Sequence, residues 1–186
     1  MDRLSDGTVV VAGTFCGMTK GDPCNMTLSG LEPMNKSQDE DENAVFLAAM
    51  NPFGEWIWAI SYSNSFQMSV IDLMVVQNDH IHLALLHRDT LSSGGDVAPG
   101  TFSHDSIAVL VLDQDGNHVH MKTVFSSESM DAGGSLCLDY WGQTYFATTF
   151  VESVDFGDHA LSSAGGANIA VGQYNSGGWL WAAGAG

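Results

Sequence analysis

Positive charge is nearly missing from this chain. Its 186 residues include only Arg3, Lys20, Lys36, Arg88 and Lys122 as basic side chains, against 22 acidic ones, for a net charge of -17. A surface this acidic repels phosphate backbones and anionic lipid headgroups, so nucleic acid and acidic membranes are poor partners. No apolar run approaches the ~18 residues a membrane span needs, so no membrane insertion is expected. Met1 to Ser5 lack the apolar stretch of a secretory leader. Sustained 3.6-residue periodicity is also absent, which argues against helices. Disorder is not implied: 45% of residues are hydrophobic and only 15% charged, enough apolar material to form a core.

What is present is a repeat of roughly 60 residues. One strand-like run follows a tight turn three times. It reads Thr8 to Phe15 after Asp6-Gly7, His80 to His87 after Asn78-Asp79, and Gln143 to Phe150 after Trp141-Gly142. Each copy continues into a hairpin. The first is Asn43 to Met50, the turn Asn51-Pro52-Phe53-Gly54, then Glu55 to Ala59. The second is Asp105 to Leu112, Asp113-Gln114-Asp115-Gly116, then Asn117 to Met121. The third is Asn168 to Tyr174, Asn175-Ser176-Gly177-Gly178, then Trp179 to Ala182. The glycines Gly54, Gly116 and Gly177 recur 62 and 61 residues apart, and turns of this kind favour glycine where φ is positive. A further strand opens the second copy (Ser69 to Val76) and the third (Gly134 to Tyr140), while only Met1 to Ser5 stand in that place in the first.

Four strands per repeat at a fixed period predict an all-β, β-propeller-like fold of three four-stranded antiparallel blades. The blades span 1–64, 65–127 and 128–186, and the first lacks most of its opening strand. A sandwich and a solenoid are the alternatives.

The pattern resembles the bacterial β-propeller repeat known as SBBP. The third copy carries the resemblance best, in Tyr145 to Thr148, Asp155-Phe156-Gly157, Leu161 to Gly166, Asn168 to Val171 and Trp179-Leu180-Trp181-Ala182. The first copy shares Val11 to Phe15 and Trp56-Ile57-Trp58-Ala59. The second departs, with His118-Val119-His120 in the Trp slots. The resemblance implies an extracellular or cell-surface propeller and brings no catalytic residues. With it, a first copy that begins partway through a blade suggests a chain cut from a longer secreted protein.

The remaining candidates are few. His80 and His82 are expected on one strand face, as are His118 and His120, and such pairs could ligate zinc. Packing in the Trp slots is the competing reading. Asp113 to Asn117 looks like part of a calcium loop but aligns with two plain turns. The acidic run Asp39 to Glu42 reads as a solvated loop, with a cation site as the alternative. Asn25-Met26-Thr27 and Asn35-Lys36-Ser37 match the glycosylation sequon. Cys16 and Cys24 flank a short loop and are expected to form a disulfide, which suits an oxidising compartment. Cys137 is expected to be a buried small hydrophobe. Trp56, Trp58, Trp179 and Trp181 are expected to pack between neighbouring sheets.

No catalytic, cofactor-binding or metal-ligating residue is assigned, and no cofactor. The expected role is a structural or ligand-binding module, taking carbohydrate or protein. The alternative is a fragment of a propeller enzyme such as a glycosidase or lyase. Three blades do not close a ring, so the expected partner is a second copy completing a six-blade dimer, or the remainder of a longer propeller.

Overall fold

The computed structural model describes residues 1–16, 24–35, 44–63, 68–100, 104–126 and 133–186. They form antiparallel β-sheet without helix. In chain order the strands begin with β1 (Asp2–Arg3), β2 (Val9–Phe15), β3 (Asn25–Met26), β4 (Met34–Asn35), β5 (Ala44–Met50) and β6 (Trp56–Tyr62). Next come β7 (Met68–Val75), β8 (Ile81–His87), β9 (Leu91–Ser93), β10 (Asp96–Ala98), β11 (Ser106–Leu112) and β12 (His118–Ser126). The last are β13 (Gly134–Leu138), β14 (Thr144–Phe156), β15 (His159–Asn175) and β16 (Gly178–Ala185).

The pairing gives three meanders of four strands. The first is β1-β2-β5-β6, the second β7-β8-β11-β12, and the third β13-β14-β15-β16. The second and third are joined at one corner, where Phe125 and Ser126 pair with Asp155 and Val154. The opening strand of the first meander is a two-residue stub, Asp2 and Arg3 against Val10 and Val9.

The turns explain why the strands fold back where they do. In the second meander Asp113 bonds Asn117 across the turn, and its carboxylate accepts the N–H groups of Asp115 and Asn117 at 3.0 and 2.8 Å. Asn51 does the same for Phe53 and Glu55, and Asp139 for Trp141 and Gln143. These are Asx turns, in which a short polar side chain caps the backbone and holds the next strand in register. The carboxylate of Asp113 is therefore committed to its own turn. The third β-hairpin differs from expectation: Asn175 pairs with Gly178, and the positive φ lies at Gly178 (150°) rather than Gly177.

The meanders stack face to face, and side chains alternate between the two interfaces because successive residues of a strand point to opposite faces. On β8, Ile81, Leu83 and Leu85 pack toward the first sheet, while Ala84 and Leu86 pack toward the third. On β11, Ala108, Leu110 and Leu112 take the first direction, and Ile107, Val109 and Val111 the second. The central sheet is covered on both faces, and every residue of β8 and β11 is buried. This explains their near-continuous apolar sequence. Each buried Leu or Ile contributes about 1.5–3 kcal/mol relative to exposure.

The stacking has a direction. Each sheet has a leading face toward the sheet before it and a trailing face toward the sheet after it. Among the described residues no other sheet packs on the leading face of the first sheet, yet that face is covered. The β3–β4 hairpin folds onto it, so that Leu28 and Met34 bury Ala48 among Val11, Phe15, Phe46 and Trp56. The Cys16–Cys24 disulfide, with Cα atoms 5.7 Å apart, ties the start of this excursion to the end of β2. The trailing face of the third sheet is uncovered by any described residue. Cys137, expected to be buried, is exposed there, because its partner in register is Tyr145 on that same face. The acidic run Asp39 to Glu42 lies outside the described residues, as do Lys36 and Ser37 of the second sequon.

Candidate functional site: a cleft between the second and third sheets

One irregularity in the repeat builds the site. In each meander the last two strands contain a β-bulge. Met50 pairs with Trp56 but Ala49 pairs with Trp58; Leu112 pairs with His118 but Val111 with His120; Tyr174 pairs with Trp179 but Gln173 with Trp181. A bulge inserts one extra residue and breaks the simple alternation of faces. The two members of each pair therefore point to opposite faces. This corrects the expectation that His118 and His120 share a face.

The same bulge corrects the Trp assignment. Trp58 on the trailing face of the first sheet and Trp179 on the leading face of the third both reach into interfaces. Trp58 Nε1 donates to the carbonyl of Gln114 at 3.1 Å, and Trp179 Nε1 to that of Thr123 at 2.9 Å. Trp56 instead lies on the hairpin-covered face of the first sheet. Trp181 lies on the open face of the third, 39% exposed, with Nε1 bonded to its neighbour Gln173.

His118 is held under the β9–β10 hairpin. Its Nε2 meets Asp96 Oδ2 at 3.0 Å, and this contact draws the Asp96 carboxyl below its ordinary range. His120 occupies, on the second sheet, the slot that Trp58 holds on the first. Trp58 spans the first interface to the turn of the second sheet. At the second interface the corresponding carbonyl, Ser176 O, is reached by Lys122 Nζ at 2.9 Å. An imidazole where an indole stood leaves space, and a cleft of about 430 Å³ opens at the turn end of the stack.

The β7–β8 turn supplies Gln77, Asn78 and His80 to the cleft; β8 and β12 supply His82 and His120; the third sheet supplies Trp141, Thr144, Tyr174, Asn175 and Ser176. His82 Nδ1 and the Tyr174 hydroxyl are 2.7 Å apart across the interface. Burial pushes the His82 imidazole down to about 4, helped by His120 and His80 nearby. Burial also lowers His120 to about 4, with Lys122 adding to the effect, and burial raises the Tyr174 phenol. Both imidazoles are neutral at pH 7. His120 Nδ1 is buried without a hydrogen-bond partner. Trp141 stands at the rim, 79% exposed, with Tyr140 edge-on beside it at 5.9 Å.

No Asp, Glu, Lys or Arg is among the cleft's described lining residues, on a chain with 22 acidic residues. It brings together three of the four histidines singled out from the sequence and excludes His118. Among the described residues no group of three or more His, Cys, Asp or Glu side chains is placed to hold a metal ion. Sequence reasoning missed Trp141, Asn78 and Tyr174 as site residues. The departure of the second copy from the Trp pair was the one signal that could have located the cleft.

No protein-family model matches the chain, and no curated protein matches it by sequence.

Proposed function

We propose that the three sheets are blades of β-propeller type in a secreted or cell-surface protein, and that the chain binds a neutral, carbohydrate-like ligand in the cleft without transforming it. The observation that carries the binding reading is the cleft's lining of amides, imidazoles and an exposed indole, with no Asp, Glu, Lys or Arg among its described lining residues. Sugars present hydroxyls to amides and imidazoles, and an apolar C–H face to an aromatic ring. The unpaired His120 Nδ1 is a buried acceptor or donor that a ligand hydroxyl would satisfy. The glycosidase alternative requires two carboxylates facing each other across the bond to be cleaved. The cleft's lining favours binding over that chemistry. The Cys16–Cys24 disulfide supports an oxidising compartment.

The test is a glycan array followed by calorimetric titration of any neutral oligosaccharide that binds. Trp141→Ala should weaken binding at least tenfold, and His120→Trp should abolish it by filling the cleft. Binding that survives both substitutions would place the ligand elsewhere, and no binding to any neutral glycan would remove the carbohydrate reading.

A further inference from the structure

The β3–β4 hairpin turns one face to the first sheet and the other to solvent. Side chains alternate along an extended chain. Met26 and Leu28 therefore point inward, with Met34 from β4, into the cluster around Ala48. Asn25 and Thr27 point the other way and are exposed. Asn35 lies directly opposite Asn25 in the ladder, as Met34 lies opposite Met26, and it too is exposed. The outer face thus carries a complete Asn-x-Thr sequon, Asn25-Met26-Thr27, with both recognised side chains clear of the packing.

The outward direction belongs to the hairpin itself. The β9–β10 hairpin holds the same place in the second meander, between its second and third strands. There a sheet does stand in front, and Leu91 and Ala98 bury themselves in the cluster shared with the first sheet. The next pair out, Ser92 opposite Val97, is exposed all the same, Val97 at 56%. A sheet packed in front of the β3–β4 hairpin would leave its outer face open in the same way. Cys24, bonded to Cys16, immediately precedes Asn25. Disulfides persist in oxidising compartments, the setting in which a secreted chain receives Asn-linked sugars.

We infer that Asn25 is an acceptor for an N-linked oligosaccharide. The donor is an oligosaccharide carried on a polyprenyl diphosphate. The side-chain amide nitrogen of Asn25 bonds to the anomeric carbon of the donor. The bond from that carbon to the diphosphate oxygen breaks, the lipid diphosphate leaves, and the amide gives up one proton. Nothing is oxidised or reduced. Thr27 supplies the hydroxyl that the transferase recognises. A glycan at Asn25 projects from the face opposite Leu28 and Met34, so it leaves the packing of the first sheet undisturbed. This inference rests on the oxidising-compartment part of the proposed function. It does not rest on the ligand reading, because the cleft lies between the second and third sheets.

The test directs the intact chain through the secretory pathway of a eukaryotic cell behind an added leader. The secreted product is treated with an amidase that releases N-glycans and leaves Asp where the glycosylated Asn stood. Peptide mass spectrometry should find position 25 converted in the wild type and in Thr27→Ser, and fully unconverted in Thr27→Ala. The Cys16–Cys24 bond and the thermal unfolding midpoint should be the same with and without the glycan. A secreted, disulfide-bonded chain whose Asn25 is unmodified would overturn the inference and leave the compartment reading standing. A chain retained in the cell with Cys16 and Cys24 reduced would overturn both. A glycan found only at Asn35, or one at Asn25 that blocks the disulfide or lowers the midpoint, would overturn the inference as well.

Discussion

The pairs of aromatic or imidazole residues near the third turn of each meander show how position outweighs identity. Trp58 and Trp181 occupy the same repeat slot, yet among the described residues only Trp58 meets a neighbouring sheet. Trp58→Ala should cost about 3 kcal/mol through lost packing and an orphaned Gln114 carbonyl. Trp181→Ala should cost under about 1 kcal/mol in the monomer, since half-exposed surface residues away from special features change little. Urea denaturation of the two variants at low protein concentration measures the difference. His82 gives a second prediction. Its ordinary value near 6.5 applies to the unfolded chain and about 4 to the folded one, so the unfolded state binds more protons between those limits. Stability is complete above about pH 6.5 and falls as pH drops toward 4, by on the order of 2–3 kcal/mol for this residue. His82→Gln should flatten that part of the curve, read from denaturation midpoints at successive pH values.

At the scale of elements, the turns carry the register and part of the packing. Gly54 and Gly116 both have positive φ, 86° and 81°, in equivalent turns. A Cβ at Gly54 meets nothing within 4 Å, whereas one at Gly116 would stand 2.9 Å from Ile60 and 3.2 Å from Trp58. Gly54→Ala should cost about 1–2 kcal/mol for backbone strain alone. Gly116→Ala should cost more, because it also pushes Trp58 out of the first interface; thermal denaturation of the two variants separates the contributions. The β3–β4 hairpin is the other informative element. It covers the leading face of the first sheet, and the disulfide anchors it. Alkylation of the folded, unreduced protein followed by mass spectrometry should modify Cys137 alone. Two more modified thiols would mean the hairpin is not tethered.

For the whole molecule, the stack behaves as a short repeat array, in which each sheet is stabilised mainly by its neighbours. The central sheet has two buried faces, the outer sheets one apiece plus whatever covers them. Hydrogen exchange should therefore be slowest in β8 and β11 and faster in β16, which forms an edge of the third sheet. Equal protection across all three sheets would point to a single cooperative unit rather than an array. Lateral joining of the second and third sheets through Phe125 and Ser126 should make those two exchange more alike than either does with the first.

Much of this was legible in the residues themselves. Period-two apolar runs, recurring turn dipeptides and the 62- and 61-residue spacing determined the antiparallel strands and their order, because turn chemistry and alternation are local properties. The same spacing marked the second copy as the one whose Trp slots hold histidine. Tertiary structure alone decided where those slots point. A one-residue bulge shifts the alternation of faces by one residue, and the spacing of a residue pair does not by itself say whether the bulge falls within it; here it does, hence His118 and His120 part company, and only two of the four tryptophans fill interfaces. It also decided that Cys137 is exposed, since burial of a strand residue depends on whether another sheet covers its face. The cleft and the hairpin-covered first sheet follow from the same cause: both are set by contacts between segments distant in the chain, which no local pattern encodes.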